Sequence, residues 1–114
     1  IAIQEYGIPN PDLVAELDST IAAGTLTEDV TVFTALRPEI WDSVEVSDVL
    51  SDDSYLIASL DPRVARRHGR PVALTLLAGQ HAAPLDTQTQ QLILPRRHSW
   101  QVIALGLIIV GLLL

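Results

Sequence analysis

The last fifteen residues, 100–114, carry no charged side chain and are almost entirely apolar. A helix of this length extends about 22 Å, whereas the hydrocarbon core of a bilayer is about 30 Å thick and takes roughly 20 residues to cross. A buried core helix would need a polar stripe facing water, and no polar residue follows Gln101. The segment therefore predicts a transmembrane helix that continues beyond residue 114.

The residues just before this segment are typical of a membrane boundary. Trp100 belongs to the type that lies at headgroup level, and Arg96 and Arg97 supply a polar flank. We predict these three residues at the membrane interface and residues 95–99 as a basic juxtamembrane linker. Because short positive flanks tend to stay on the cytoplasmic side, a single-pass cell-membrane protein with a cytoplasmic domain is favoured, although charges beyond residue 114 could reverse this orientation.

The remaining residues, 1–94, are enough for one domain. The chain has 14 acidic residues, 7 arginines and no lysine, for a formal net charge of -7. This charge argues against a nucleic-acid partner. The absence of cysteine excludes a disulfide scaffold, a thiol nucleophile and any cysteine-ligated metal. A single acidic domain is therefore expected.

Two segments have the starting signals of helices. Asn10 and Pro11 supply an N-cap and a first-turn proline, and the apolar spacing that follows predicts an amphipathic helix over 11–23. Asp61 and Pro62 repeat this pattern, which predicts a second, shorter helix.

Strands are predicted where β-branched residues and alternating apolar residues recur. These segments are 30–36, 44–46, 55–60, 71–78 and 92–94. Together with the first helix they predict an α+β fold with a small, mainly antiparallel β domain. We expect Phe33 and Trp41 to be mostly buried in it.

Four arginines form a basic cluster on and just after the second predicted helix. They are Arg63, Arg66, Arg67 and Arg70. Guanidinium groups bind carboxylates and phosphates through two hydrogen bonds, so the cluster is a candidate docking site for an acidic partner. The alternative is a solvated helix face that pairs with acidic residues elsewhere in the domain, and the sequence leaves both open.

No motif for catalysis or metal binding accompanies these features. The acidic turn at 47–54 lacks the glycine and the final glutamate of a calcium-binding loop. His68, His81 and His98 are too widely spaced to indicate a metal site. We therefore predict no catalytic residue, no metal ligand and no cofactor.

Residues 30–94 resemble the SAF or β-clip domain of antifreeze-like proteins and of pilus and flagellar assembly factors. The likeness rests on segments 44–49, 61–62, 69–72, 78–80 and 92–94 and on Leu85. Two departures stand against it: residues 38–42 replace the family's usual Pro-Gly turn, and its pilus members usually carry an N-terminal membrane helix. The resemblance implies a compact, mostly β domain used in binding or assembly.

Taken together, these features predict a non-enzymatic, single-pass accessory or assembly subunit of a larger bacterial membrane complex. Its partners would be other subunits of that complex and the lipid bilayer. Two alternatives remain open. One is a membrane-anchored sensor or regulator that binds a ligand, and the other is an enzyme whose catalytic part lies outside this sequence.

Overall fold

The computed structural model describes residues 11–36, 38–86, 88 and 90–114. The helices in this part of the chain are α1 (Pro11–Ala23), α2 (Pro38–Trp41) and α3 (Pro62–Arg66). The strands are β1 (Val30–Leu36), β2 (Val49–Asp52), β3 (Leu56–Ser59), β4 (Arg70–Leu76), β5 (Ala83–Asp86), β6 (Gln91–Leu94), β7 (His98–Ala104) and β8 (Ile109–Leu113).

All eight strands belong to one mixed sheet in the order β2-β7-β8-β4-β1-β3-β6-β5. Strand β8 runs parallel to β4, and the other pairs are antiparallel. The predicted fold class, a small mainly antiparallel β domain joined to a transmembrane helix, is therefore wrong. The physical reason is that the apolar end of the sequence supplies two strands to the sheet.

Residues 100–114 belong to strands β7 and β8 and their hairpin, so the transmembrane helix predicted there is wrong. Strand β8 has a hydrogen-bonded neighbour on each side, and its side chains are alternately buried and partly buried. Trp100 and Gly111 illustrate the packing, because a Cβ on Gly111 would overlap the indole ring. Within the described residues, the helices are too short or too polar to cross a bilayer.

The main buried cluster brings together side chains from six of the strands. The cluster residues that lie on these strands include Val32, Ala58, Leu74, Leu94, Trp100, Val102 and Ile109. A second cluster joins α1 to the far end of the sheet, where Ile21 packs with Tyr55, Ala83 and Ile93. These two clusters place α1 beside β3, β5 and β6.

Several local predictions agree with the structure. Helix α1 spans the predicted residues, although Asn10 lies outside the described part of the chain. Asp61 caps α3, because its carboxylate accepts a hydrogen bond from the backbone N–H of Arg63 at 2.9 Å. The strand predicted at 44–46 is instead part of a turn, in which the backbone N–H of Glu45 donates to Asp48 Oδ2.

Candidate functional site

The sheet has a seam between β1 and β3. Strand β1 pairs with β4 along its whole length, from Val30 to Leu36. It pairs with β3 at one position, where Phe33 lies opposite Ser59. The regular pairing between these two strands is therefore short.

A row of side chains crosses the sheet at this seam. Ser59 lies opposite Gln91 on β6, and Gln91 lies opposite Asp86 on β5, next to a register shift. Directly opposed residues in antiparallel strands have Cβ atoms about 4.5–5.5 Å apart on one face. We call Phe33, Ser59, Gln91 and Asp86 the seam row.

The seam row changes from buried to exposed along its length. Ser59 is 1% exposed, and its Oγ accepts a hydrogen bond from the backbone N–H of Asp61 at 3.0 Å. Phe33 and Gln91 are partly exposed, whereas Asp86 is exposed and accepts a hydrogen bond from the N–H of Gln88 at 2.8 Å. The row therefore has an aromatic ring, an amide and a carboxylate that are at least partly exposed, beside a buried hydroxyl.

The turn beside the seam row holds a residue in an unusual backbone conformation. Gln90 has a φ of 53°, in the left-handed region that residues other than glycine seldom adopt. Its carbonyl accepts a hydrogen bond from the N–H of Leu60 at 3.1 Å. This bond ties the end of β3 to the start of β6, and so positions Ser59 against Gln91.

Thr34 adds a side-chain contact across the same seam. It is 7% exposed, and its Oγ1 donates a hydrogen bond to the carbonyl of Ile57 at 3.2 Å. The threonine hydroxyl therefore adds a side-chain hydrogen bond between β1 and β3.

Helix α1 lies next to the seam row. Ile57, Ile93 and Ala83 form the adjacent row on β3, β6 and β5, and they pack with Leu17 and Ile21 of the helix. The helix therefore covers an apolar row and borders the seam row.

An ion pair and a tyrosine hold α1 in this place. Arg96 donates to both carboxylate oxygens of Asp18, with distances of 3.2 Å from Nε and 2.6 Å from Nη2. Tyr55, which is 2% exposed, donates to Asp18 Oδ1 at 2.8 Å. Burial alone raises the pKa of Asp18, but the hydrogen bonds from Arg96 and Tyr55 outweigh it and hold the pKa below its ordinary value. Burial and the bond to Asp18 raise the pKa of Tyr55 to about 12.

The structure separates the four clustered arginines by their contacts. Arg63 pairs with Asp61 at 2.9 Å, and the guanidinium of Arg70 lies 5.2 Å from the centre of the Trp41 ring. Arg66 and Arg67 are exposed, and neither guanidinium forms a hydrogen bond or ion pair with another described residue. The predicted docking role of this cluster is not tested by these contacts and stays a prediction.

The three residues predicted at a membrane interface have other surroundings here. Arg96 binds Asp18, Arg97 is exposed with a φ of 57°, and Trp100 is 4% exposed inside the sheet. Residues 98–104 and 109–113 form strands, so the helix on which that prediction depended is not formed by them.

Sequence reasoning misses the seam row. The polar composition of residues 80–91 predicts a loop, whereas the structure places β5 and the start of β6 in this segment. The sequence predicts a strand at 92–94, and the observed strand β6 begins one residue earlier, at Gln91. The pairing of Gln91 with Ser59 depends on residues far apart in the chain.

Comparisons with known proteins identify the fold. No protein-family model and no curated protein matches the sequence. The solved structures that match include C3stau2 from S. aureus with NAD, at 19% identity and a TM-score of 0.78, covering 90% of this chain and 70% of that one. They also include an ADP-ribosyltransferase from Clostridium botulinum, at 12% identity and a TM-score of 0.77, covering 96% and 73%. A third is the ADP-ribosylating toxin BECa of C. perfringens with NADH, at 10% identity and a TM-score of 0.73, covering 96% and 37%.

These matches correct several expectations. The resemblance to the SAF or β-clip domain is wrong, because the chain superposes on a different fold over nine-tenths of its length. The predicted membrane-anchored accessory subunit and its single-pass membrane location are also wrong, since both depended on the helix that residues 100–114 do not form. The likeness shows that this chain has the fold of the ADP-ribosyltransferase toxins.

Proposed function

We propose that this domain binds NAD at the seam row. The observation that carries the proposal is the set of groups on the row: the partly exposed Phe33 ring lies in line with the hydroxyl of Ser59, the amide of Gln91 and the carboxylate of Asp86. Aromatic rings stack on nucleotide bases, at about 1–3 kcal/mol per base. Amides and carboxylates hydrogen-bond ribose hydroxyls, as an acidic residue does in dinucleotide-binding folds.

The fold supports this choice of ligand. Two of the similar structures, C3stau2 and BECa, are described with NAD and NADH respectively. Their identity to this chain is low, so the ligand is proposed here on the chemistry of the seam row together with the shared fold. Helix α1 would form one wall of the site, because it covers the row next to it.

The second candidate function is ADP-ribosyl transfer, in which the nicotinamide–ribose bond of NAD breaks and the ribose carbon bonds to an acceptor nucleophile. The ribose then carries positive charge, and enzymes that cleave glycosidic bonds place carboxylates near such a charge. Asp86 favours this reaction because its carboxylate lies opposite Gln91. The centre of the row is the neutral amide of Gln91, which suits binding, and we therefore place NAD binding first.

Calorimetric titration with NAD, together with amide NMR spectra, tests the proposal. We expect saturable binding with shifts centred on Ser59 and Gln91. Gln91→Leu should weaken binding by about tenfold or more, because one lost hydrogen-bonding side chain leaves polar ligand atoms unpaired. Gln101→Leu is the matched control, since Gln101 is also partly exposed but lies on β7 at the other side of the sheet.

The outcomes separate the two candidate functions. No NAD binding by the unchanged chain, or equal binding by Gln91→Leu, would overturn the seam-row proposal. Nicotinamide release, measured by chromatography, would show that the nicotinamide–ribose bond is cleaved. If Asp86→Asn still binds NAD but no longer releases nicotinamide, the transfer reaction is supported.

A further inference from the structure

The hairpin between β7 and β8 exposes large apolar side chains. Leu107 is fully exposed at 105%, while Ile103 and Leu105 are 48% and 47% exposed. Val46, just before the neighbouring strand β2, is 54% exposed, and Val49, the first residue of β2, is 53% exposed. We call these five residues the apolar knob.

Backbone hydrogen bonds hold the two parts of the knob next to each other. The N–H of Ser47 donates to the carbonyl of Val102, and the N–H of Val102 donates to the carbonyl of Asp48, both at 2.8 Å. Val49 lies opposite Gln101, two residues before Ile103. The exposed side chains of Val46 and Val49 therefore lie on the segment that pairs with the part of β7 that leads to Ile103.

The direction of Ile103 results from a break in strand pairing. Val102 lies opposite Gly111 and Ala104 opposite Val110, so Ile103 is an extra residue in β7. Such bulges bend a strand, redirect side chains and are common next to functional sites. Here the neighbours of Ile103 keep their partners while Ile103 itself faces solvent.

The border of the knob is acidic. Glu45 and Asp48 lie within its loop; Glu45 is exposed and Asp48 is partly exposed. The segment 44–50 that contains them has no arginine or lysine. A surface of this kind has the anatomy of a protein interface, with an apolar centre and a charged border.

We infer that the apolar knob docks an amphipathic segment of a partner protein whose apolar face is bordered by arginine or lysine. The acidic border favours this occupant over two others. A second copy would bring carboxylates against carboxylates, and an anionic lipid surface would repel Glu45 and Asp48. The inference does not depend on NAD binding, because the seam row and the knob lie in different parts of the sheet.

Two short synthetic amphipathic peptides test the inference. Both have a leucine face, and its borders are arginine in one peptide and glutamate in the other. By fluorescence anisotropy we expect the arginine peptide to bind the unchanged chain about tenfold or more tightly than the glutamate peptide, with affinity that falls as salt rises.

Variants show whether the knob is the binding surface. Leu105→Ser combined with Leu107→Ser keeps every charge, so nonspecific attraction between an acidic protein and a basic peptide is unchanged. This pair should weaken binding about tenfold or more, because apolar anchors carry most of the energy of an interface. Glu45→Gln combined with Asp48→Asn should reduce the salt dependence. Leu77→Ser is the control, since Leu77 is similarly exposed, at 40%, but lies after β4.

Other results would overturn the inference. Equal binding of both peptides, no binding, or binding that the Leu105 and Leu107 variant retains would each contradict it. If the unchanged chain sediments with vesicles of phosphatidylcholine and phosphatidylglycerol and the Leu105 and Leu107 variant does not, the knob binds a membrane and not a protein segment. A dimer in light scattering, lost in the same variant, would make it a second copy.

Discussion

The hydroxyl of Tyr55 donates a hydrogen bond of 2.8 Å to Oδ1 of Asp18, and so joins the residue before strand β3 to helix α1. The same hydroxyl lies 3.3 Å from the carbonyl of Val14. Since α1 borders the seam row, this contact links the stability of the helix to the shape of the proposed binding site.

Replacement of Tyr55 by phenylalanine should lower the free energy of unfolding by about 1–2 kcal/mol, because the acceptors on α1 lose a buried donor. Urea unfolding followed by circular dichroism measures this. Ser51→Ala is the control, since it removes an exposed hydroxyl that bonds only Ser99 among the contacts described. Equal changes in the free energy of unfolding for the two substitutions would show that the buried hydrogen bond of Tyr55 contributes no more to stability than the exposed one of Ser51.

Acid should destabilise the domain partly through Asp18. The pKa of Asp18 is lowered in the folded state, and an unperturbed aspartate has a pKa near 3.9. As the pH falls, the Asp18 carboxylate therefore binds a proton in the unfolded chain before it does so in the folded chain. The stabilisation from Asp18 is present above the unfolded pKa and is lost as pH falls through the folded one. We expect Asp18→Asn to be less stable at neutral pH and to lose less stability between about pH 5 and pH 3. Identical pH slopes for the variant and the unchanged chain would contradict this.

Gly111 should tolerate no side chain. Its Cβ would overlap the Trp100 ring, and it would also lie 3.3 Å from Leu74 Cδ1. Gly111→Ala should therefore destabilise the domain by about 1–3 kcal/mol, as overpacking of a core does. In Gly106→Ala, the matched control, the nearest atom would be 3.9 Å away, and thermal unfolding should change little.

The two tryptophans should differ in fluorescence. Trp100 is 4% exposed, whereas Trp41 is only partly buried and lies beside Arg70. Trp100→Phe should move the emission maximum to longer wavelength and Trp41→Phe to shorter wavelength. The reverse order would contradict the placement of Trp100 in the core.

The basic cluster can be tested through the two arginines whose guanidinium groups have no described partner. If Arg66 and Arg67 bind an acidic partner, Arg66→Glu combined with Arg67→Glu should abolish copurification with it. The melting temperature should change by only about a degree or two, because exposed charges contribute little to folding. Retained copurification would favour the solvated-face alternative.

Local chemistry was enough to predict some elements of this fold. Pro11 and the apolar spacing after it determine α1, and the β-branched residues of Val30–Leu36 determine β1. Both elements depend on residues close in sequence, which is why their bounds could be predicted.

Residues 100–114 show where such reasoning fails. Their hydrophobicity is equally suited to a membrane span and to a strand enclosed by protein. Strand β8 is enclosed because β4 and β7 lie on either side of it. The sequence does contain a hint, since Gly106 divides the segment into two short β-branched runs, each of strand length.

The candidate site could not be predicted for a related reason. Ser59 and Gln91 meet only because β3 and β6 pair in one register. Asp86 joins them through a strand with a register shift. No spacing along the chain encodes these contacts.

The parallel pairing of β8 with β4 has a consequence for the order of folding. Strands β2 and β7 join the rest of the sheet only through β8. During synthesis the ribosome must therefore release residues as late as Leu113 before these strands, three of the eight described, can join the sheet. Until then the apolar residues of β4 have an open edge, and unpaired edges of this kind invite association between nascent chains.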